Sequence, residues 1–122
     1  MVDLIIAAHS SFAGVVIAYL VVLGVWGLAT GLRGHGPSAS YFGALVIAEG
    51  AALLQGAFGI ASLFVRPPQN TIHLLYGVAL ALALPLAWTY VRGRPANRVA
   101  LTLGLVALFA AGLGIRGMTT GG

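Results

Sequence analysis

Three ionisable side chains, His9, Glu49 and His73, fall inside long apolar runs of this 122-residue chain. Inside a membrane such groups are costly and mark functional sites. Neutral imidazole nitrogen is the usual axial ligand of b-type haem, and two histidines on separate helices of a bundle can close an iron from both faces. His9 and His73 are therefore read as metal ligands. Glu49, near the bilayer midplane, is expensive unless protonated, paired or facing a hydrated cavity. Two readings stay open for it: a proton-relay or quinone-contact group, or a protonated carboxyl bonded to another helix. The third histidine, His35, lies in a loop and is read as a surface residue. With no cysteine in the chain, thiolate metal sites, iron–sulfur clusters and covalently attached c-type haem are excluded. Any redox cofactor is held non-covalently.

The elements that must carry these residues are membrane helices. The chain is 60% apolar and 7% charged, too little polar surface to coat a water-soluble globule. Apolar stretches of about 20 residues cross a bilayer core of about 30 Å. Four such stretches fill the chain, so the fold class expected is all-α, a single-domain integral membrane four-helix bundle over 1–122, with helices at about 2–32, 39–65, 71–91 and 97–115. Arg33-Gly34-His35-Gly36-Pro37-Ser38 ends the first. Arg66-Pro67-Pro68-Gln69-Asn70 ends the second, where prolines forbid continuation. The third carries Pro85, expected to kink it. The opening Met1-Val2-Asp3-Leu4 lacks a basic segment, and its apolar run is too long for a cleavable signal, so a retained first helix is expected.

All six basic residues are arginines at or just beyond helix ends. That distribution reads as topology and excludes a nucleic-acid patch. Arg33, Arg92, Arg94 and Arg98 on one side against Arg66 and Arg116 on the other place both chain ends outside by the positive-inside bias. Trp26, Tyr41, Trp88 and Tyr90 fall near the expected inner boundary, where amphipathic rings prefer to sit. The two hairpins also read alike, each as His, apolar helix, Trp, Arg-Gly, then a second helix, with Leu53 to Ile60 resembling Leu108 to Ile115. A tandem repeat would relate them by an axis along the membrane normal.

At 1.5 Å per residue, the depths of His9 and His73 differ by roughly 8 Å, a difference that tilt and the Pro85 kink can absorb. Both then sit in the outer half. One turn below each stands a small residue, Ala13 and Gly77, leaving room for a macrocycle, and Gly14, Gly56 and Gly59 add gaps at a similar level. Gln55, near the histidine level, can bond a haem edge or join helices. Arg66 and Arg116 are the cations available to haem propionates on the outer surface.

This layout resembles one half of haem A synthase, whose bundles present histidines from their first and third helices to a haem near the outer surface. His9, Ile72-His73-Leu74-Leu75 and Leu54-Gln55-x3-Gly59 carry the resemblance, the last being similar to that family's Gln-x-x-x-Gly stretch. The departures are one bundle in place of two, Ser10-Ser11 where an arginine is typical, and no outer loop bearing catalytic acids or cysteines. What the resemblance implies is a haem-binding electron-transfer module without haem oxidation.

The leading expectation is a small b-type cytochrome with non-covalent haem b, an electron-transfer component of a respiratory or photosynthetic complex rather than a stand-alone enzyme. Its expected setting is a bacterial-type inner (plasma) membrane. Its expected partners are lipid, other membrane subunits and quinone. The alternatives are a structural accessory subunit, or a proton-coupled small-molecule exporter using Glu49.

Overall fold

The computed structural model describes residues 2–64 and 71–120. They form four helices, α1 (Val2–Leu32), α2 (Ala39–Leu63), α3 (Ile72–Val91) and α4 (Ala96–Thr120), each long and apolar enough to span a bilayer. The protein is a multi-pass membrane protein. Its helices are apolar around most of their circumference, as helices with lipid on one side and protein on the other must be, and their backbone groups are satisfied internally. Large side chains such as Val46, Ile47, Leu75 and Leu86 point outward and stay exposed.

The two arginine-bearing loops are built alike. Gly34 (φ 80°) and Gly93 (φ 87°) follow α1 and α3 in the left-handed region, where glycine escapes the Cβ clash. The Gly34 N–H donates to the Gly31 carbonyl at 3.0 Å, and the Arg94 N–H to the Val91 carbonyl at 3.0 Å. Ser38 then caps α2, its hydroxyl accepting from the Tyr41 N–H at 3.1 Å.

Neighbouring helices run in cyclic order. The tightest pairing is α1 with α4, followed by α3 with α4 and α1 with α2; α2 against α3 is the loosest. Among the described residues, α1 and α3 face each other diagonally without backbone contact. Close approach of α1 and α4 rests on glycine. A Cβ on Gly27 would come 2.8 Å from Gly104 Cα, and one on Gly104 would come 2.7 Å from the Leu28 nitrogen. Small residues let membrane helices pack backbone to backbone, where dispersion rather than hydrophobic expulsion supplies the attraction. Val16, Leu20, Leu23, Leu103 and Ala107 fill the space between the helices toward the arginine end.

Several boundaries and placements differ from expectation. Helix α4 continues past Ile115 to Thr120, because its small residues are compatible with helix and Thr119 and Thr120 bond back to the Arg116 carbonyl at 2.9 and 2.8 Å. Helix α2 ends at Leu63 with Phe64 as its cap, and Val65 lies outside the described residues. Tyr41 is no interfacial ring: it is 1% exposed, edge-on to Trp26 at 5.0 Å, and its hydroxyl donates to the Leu23 carbonyl at 3.0 Å. A phenol with a partner inside the bundle has no need of the interface. Trp26, Trp88 and Tyr90 do remain exposed.

Candidate functional site: two histidines across a cavity

His9 enters from the second turn of α1, and His73 from the first turn of α3. Because those helices are diagonal partners, the two side chains meet over the bundle axis. Their ring centroids are 6.0 Å apart and their planes stand at 88°. The depth difference computed from residue counts is thus taken up by the packing.

Each ring is held by a carbonyl of the helix that follows it in the chain. His9 Nδ1 is 3.2 Å from the Gln55 carbonyl oxygen on α2, and His73 Nδ1 is 2.8 Å from the Gly117 carbonyl oxygen on α4. A carbonyl only accepts, so Nδ1 carries the proton in both rings, and both Nε2 atoms present lone pairs. Neither Nε2 finds a hydrogen-bond partner among the described residues. An Nδ1–H held by a backbone carbonyl is the arrangement that orients metal-ligating imidazoles. Gln55 completes a reciprocal bracket, its Nε2 donating to the His9 carbonyl at 2.7 Å. Of the two roles the sequence leaves open for Gln55, a haem edge or a join between helices, this bond makes the second, tying α2 to the α1 backbone at His9. Gln55 is 8% exposed, and its Oε1 is buried without a partner among the described residues.

A cavity of about 310 Å³ surrounds the pair, with residues of all four helices on its wall. Ala13, Gln55, Gly77 and both histidines line it, so five of the expected site residues converge. Gly56 and Gly77 face open space, with no atom within 4 Å of where a Cβ would stand. Gly59 is snug, its Cβ position 3.0 Å from His9 Cε1. Gly14 is also open but lies on the exposed side of α1 and not on the cavity wall.

Tyr76 and Gly117 belong to the site and were missed by sequence reading. Tyr76 lies on the wall one turn beyond His73, with the Arg116 guanidinium 5.8 Å from its ring centre, so Arg116 reaches the cavity rim through Tyr76. The i, i+3 spacing of His73 and Tyr76 on one helix face was the available signal. Nothing in sequence marked the Gly117 carbonyl. Arg66 lies outside the described residues. Glu49 is half-buried and off the cavity wall, makes no hydrogen bond among the described residues, and its Oε1 is buried. The loop residue His35 is exposed.

The donor set can be tested against the groups two imidazoles could hold. Among the described residues no third His, Cys, Asp or Glu joins the pair, whereas a bare zinc site draws three or four protein ligands. A macrocycle that supplies its own in-plane donors needs only two axial ones. The free Nε2 atoms and the space left beside them at Gly56 and Gly77 are compatible with such a group. No family model, curated protein or solved structure matches the chain.

Proposed function

We propose that this protein is a membrane-embedded b-type cytochrome, in which His9 and His73 would hold one non-covalent haem b in the half of the bundle opposite the arginine-rich loops. One observation carries the reading: two imidazoles from diagonal helices meet across a cavity, each with Nδ1–H tied to a backbone carbonyl and Nε2 free. The similarity to half of haem A synthase at His9, His73 and Gln55-x3-Gly59 supports the same reading.

When bound, haem supplies a one-electron couple. The chain's own part is to hold and screen it. The Gln55 and Gly117 carbonyls fix the tautomer and direction of the ligand rings and raise their basicity. Gly56, Gly77 and Ala13 leave room beside them, and Arg116 with Tyr76 provides a cationic rim for carboxylates. Surrounding apolar side chains keep water away, which tunes redox potential. The arginine bias directs the Arg33 and Arg92 end to the cytoplasm of a bacterial-type plasma membrane. Electron exchange then runs through membrane partners or quinone, since the chain has no extramembrane domain among the described residues.

Purification in detergent from haem-replete cells, with oxidised and dithionite-reduced spectra, tests the proposal. The expected result is a low-spin spectrum with a sharp reduced α-band, lost in His9→Ala and in His73→Ala and unchanged in His35→Ala. A colourless wild-type protein, or a spectrum that survives both substitutions, overturns it.

A further inference from the structure

A second cleft, of about 260 Å³, opens at the other end of the bundle between α3 and α4, walled by Tyr90, Val91, Arg94, Arg98, Leu101 and Thr102. The two arginine loops meet at this end: a Cβ on Gly36 would lie 2.7 Å from Ala96 Cβ. Arg33, Arg92, Arg94 and Arg98 are thus gathered here. The chain's two acids stand elsewhere, Asp3 in the first turn of α1 and Glu49 in the middle of α2.

Within the cleft the cations are presented as a binding surface. The Arg94 guanidinium carbon lies 4.7 Å from the centre of the Tyr90 ring, and its Nε reaches the Tyr90 carbonyl only at 3.5 Å. The stacked arginine is oriented with its terminal nitrogens unused. Arg98 and Thr102 are one turn apart on α4 and share a face. Arg98 is exposed, and the Thr102 hydroxyl makes no hydrogen bond among the described residues. Val91 is 1% exposed and the Leu101 side chain packs toward Gly31 of α1, so the apolar surface the cleft offers is the exposed ring of Tyr90.

We propose that this cleft binds the phosphodiester of an anionic phospholipid in the cytoplasmic leaflet. Arg94 and Arg98 pair with its oxygens, Thr102 donates to it, and the adjoining acyl chain lies along the exposed Tyr90 ring. Guanidinium forks match phosphate oxygens geometrically. Basic pockets between membrane helices on the cytoplasmic side are where anionic headgroups are held. The exposed Tyr90 ring beside the arginines, at the end of two membrane-length helices, favours a lipid over free phosphate. Arginines whose distribution reads as topology in the sequence thus also form a defined site, one that stands independently of any haem.

Native mass spectrometry of the full chain in neutral detergent tests this, with three probes: dioleoyl phosphatidylglycerol, dioleoyl phosphatidylcholine and inorganic phosphate. One phosphatidylglycerol is expected to remain bound, in preference to phosphatidylcholine, with no retention of phosphate. Each arginine near anionic lipid contributes roughly fivefold in affinity, so the Arg94→Gln, Arg98→Gln double variant should lose roughly 30-fold. Thr102→Val should lose part of the binding, and Arg33→Gln, at the same end but off the cleft, should retain it. Circular dichroism confirms that each variant is folded; should the double variant be misfolded, Arg98→Gln and Thr102→Val decide by the same comparison. Equal retention of the two lipids, an Arg33→Gln loss as large as that of the cleft variants, or retention by the folded cleft variants overturns the proposal. Capture of inorganic phosphate in place of lipid overturns it too.

Discussion

At the scale of single residues, the chemistry of the candidate site depends on where protons sit. Nδ1–H of His9 and His73 face carbonyls, which leaves two Nε2 lone pairs in a largely apolar cavity whose wall also carries Ser10, Gln55, Ser62 and Tyr76. Gly59 tests how closely His9 is positioned. In Gly59→Ala the new methyl meets His9 Cε1 at 3.0 Å, and the ring must shift by a few tenths of an ångström. The expected outcome is a displaced or broadened α-band with haem retained; Gly14→Ala, where the methyl meets nothing and lies off the cavity wall, should leave the band in place. Tyr41 gives a stability test. Tyr41→Phe removes the buried bond to the Leu23 carbonyl, and interhelical hydrogen bonds in membranes average about 0.6 kcal/mol. A small fall in melting temperature by circular dichroism is expected, with no change in the haem spectrum.

At the scale of elements, the bundle has a tight side and a loose side, and the two predict opposite outcomes for added bulk. Along α1 and α4, Gly27 and Gly104 admit the partner backbone. Gly104→Leu should force the helices apart and cost several kcal/mol, as overpacking of a filled interior does at about 1–3 kcal/mol or more. The check is thermal unfolding in detergent, where the variant melts well below the parent. On the loose side, Gly77 faces the cavity with nothing to clash against. Gly77→Leu should leave the fold at parental stability in the absence of haem while abolishing haem binding, a split read by pairing the melt with the absorption spectrum. The hairpin resemblance also acquires content at this scale. In each hairpin a left-handed glycine closes the first helix and a histidine of that helix bonds a carbonyl of the second. The register differs from the one sequence similarity suggested, which set Gln55 beside Ala110, whereas the carbonyl partner of His73 is Gly117, two turns further along.

At the scale of the whole molecule, the two ends are built differently. One holds the histidine cavity with Arg116 at its rim; the other gathers four arginines, of which Arg94 and Arg98 line a second cleft. Because haem would bind the folded state and tie α1 to α3, which otherwise share no backbone contact, its binding should raise the melting temperature of the parent protein in proportion to the logarithm of free haem concentration. His73→Ala should show no such rise. Glu49, half-buried and away from the cavity wall, should tolerate substitution by Gln without altering the haem spectrum.

The sequence by itself determined the class of molecule, because the need to satisfy every backbone group in lipid leaves helices as the solution for four long apolar runs. It also marked His9 and His73, since ionisable groups are rare enough in such runs to be noticed one at a time. What it left open was decided by packing between residues far apart in the chain. Residue counts put the histidines at different depths, and only the diagonal placement of α1 and α3 brings their rings to 6.0 Å. The Gln55 and Gly117 carbonyls that fix the tautomers are backbone atoms, identical in every residue and therefore silent in sequence. Tyr41 reads as an interfacial ring by position, and becomes a buried strut because the Leu23 carbonyl stands opposite its hydroxyl. The arginines followed a rule of topology that holds for any membrane protein, and it took the packing of α3 against α4 to set Arg94 and Arg98 on one cleft.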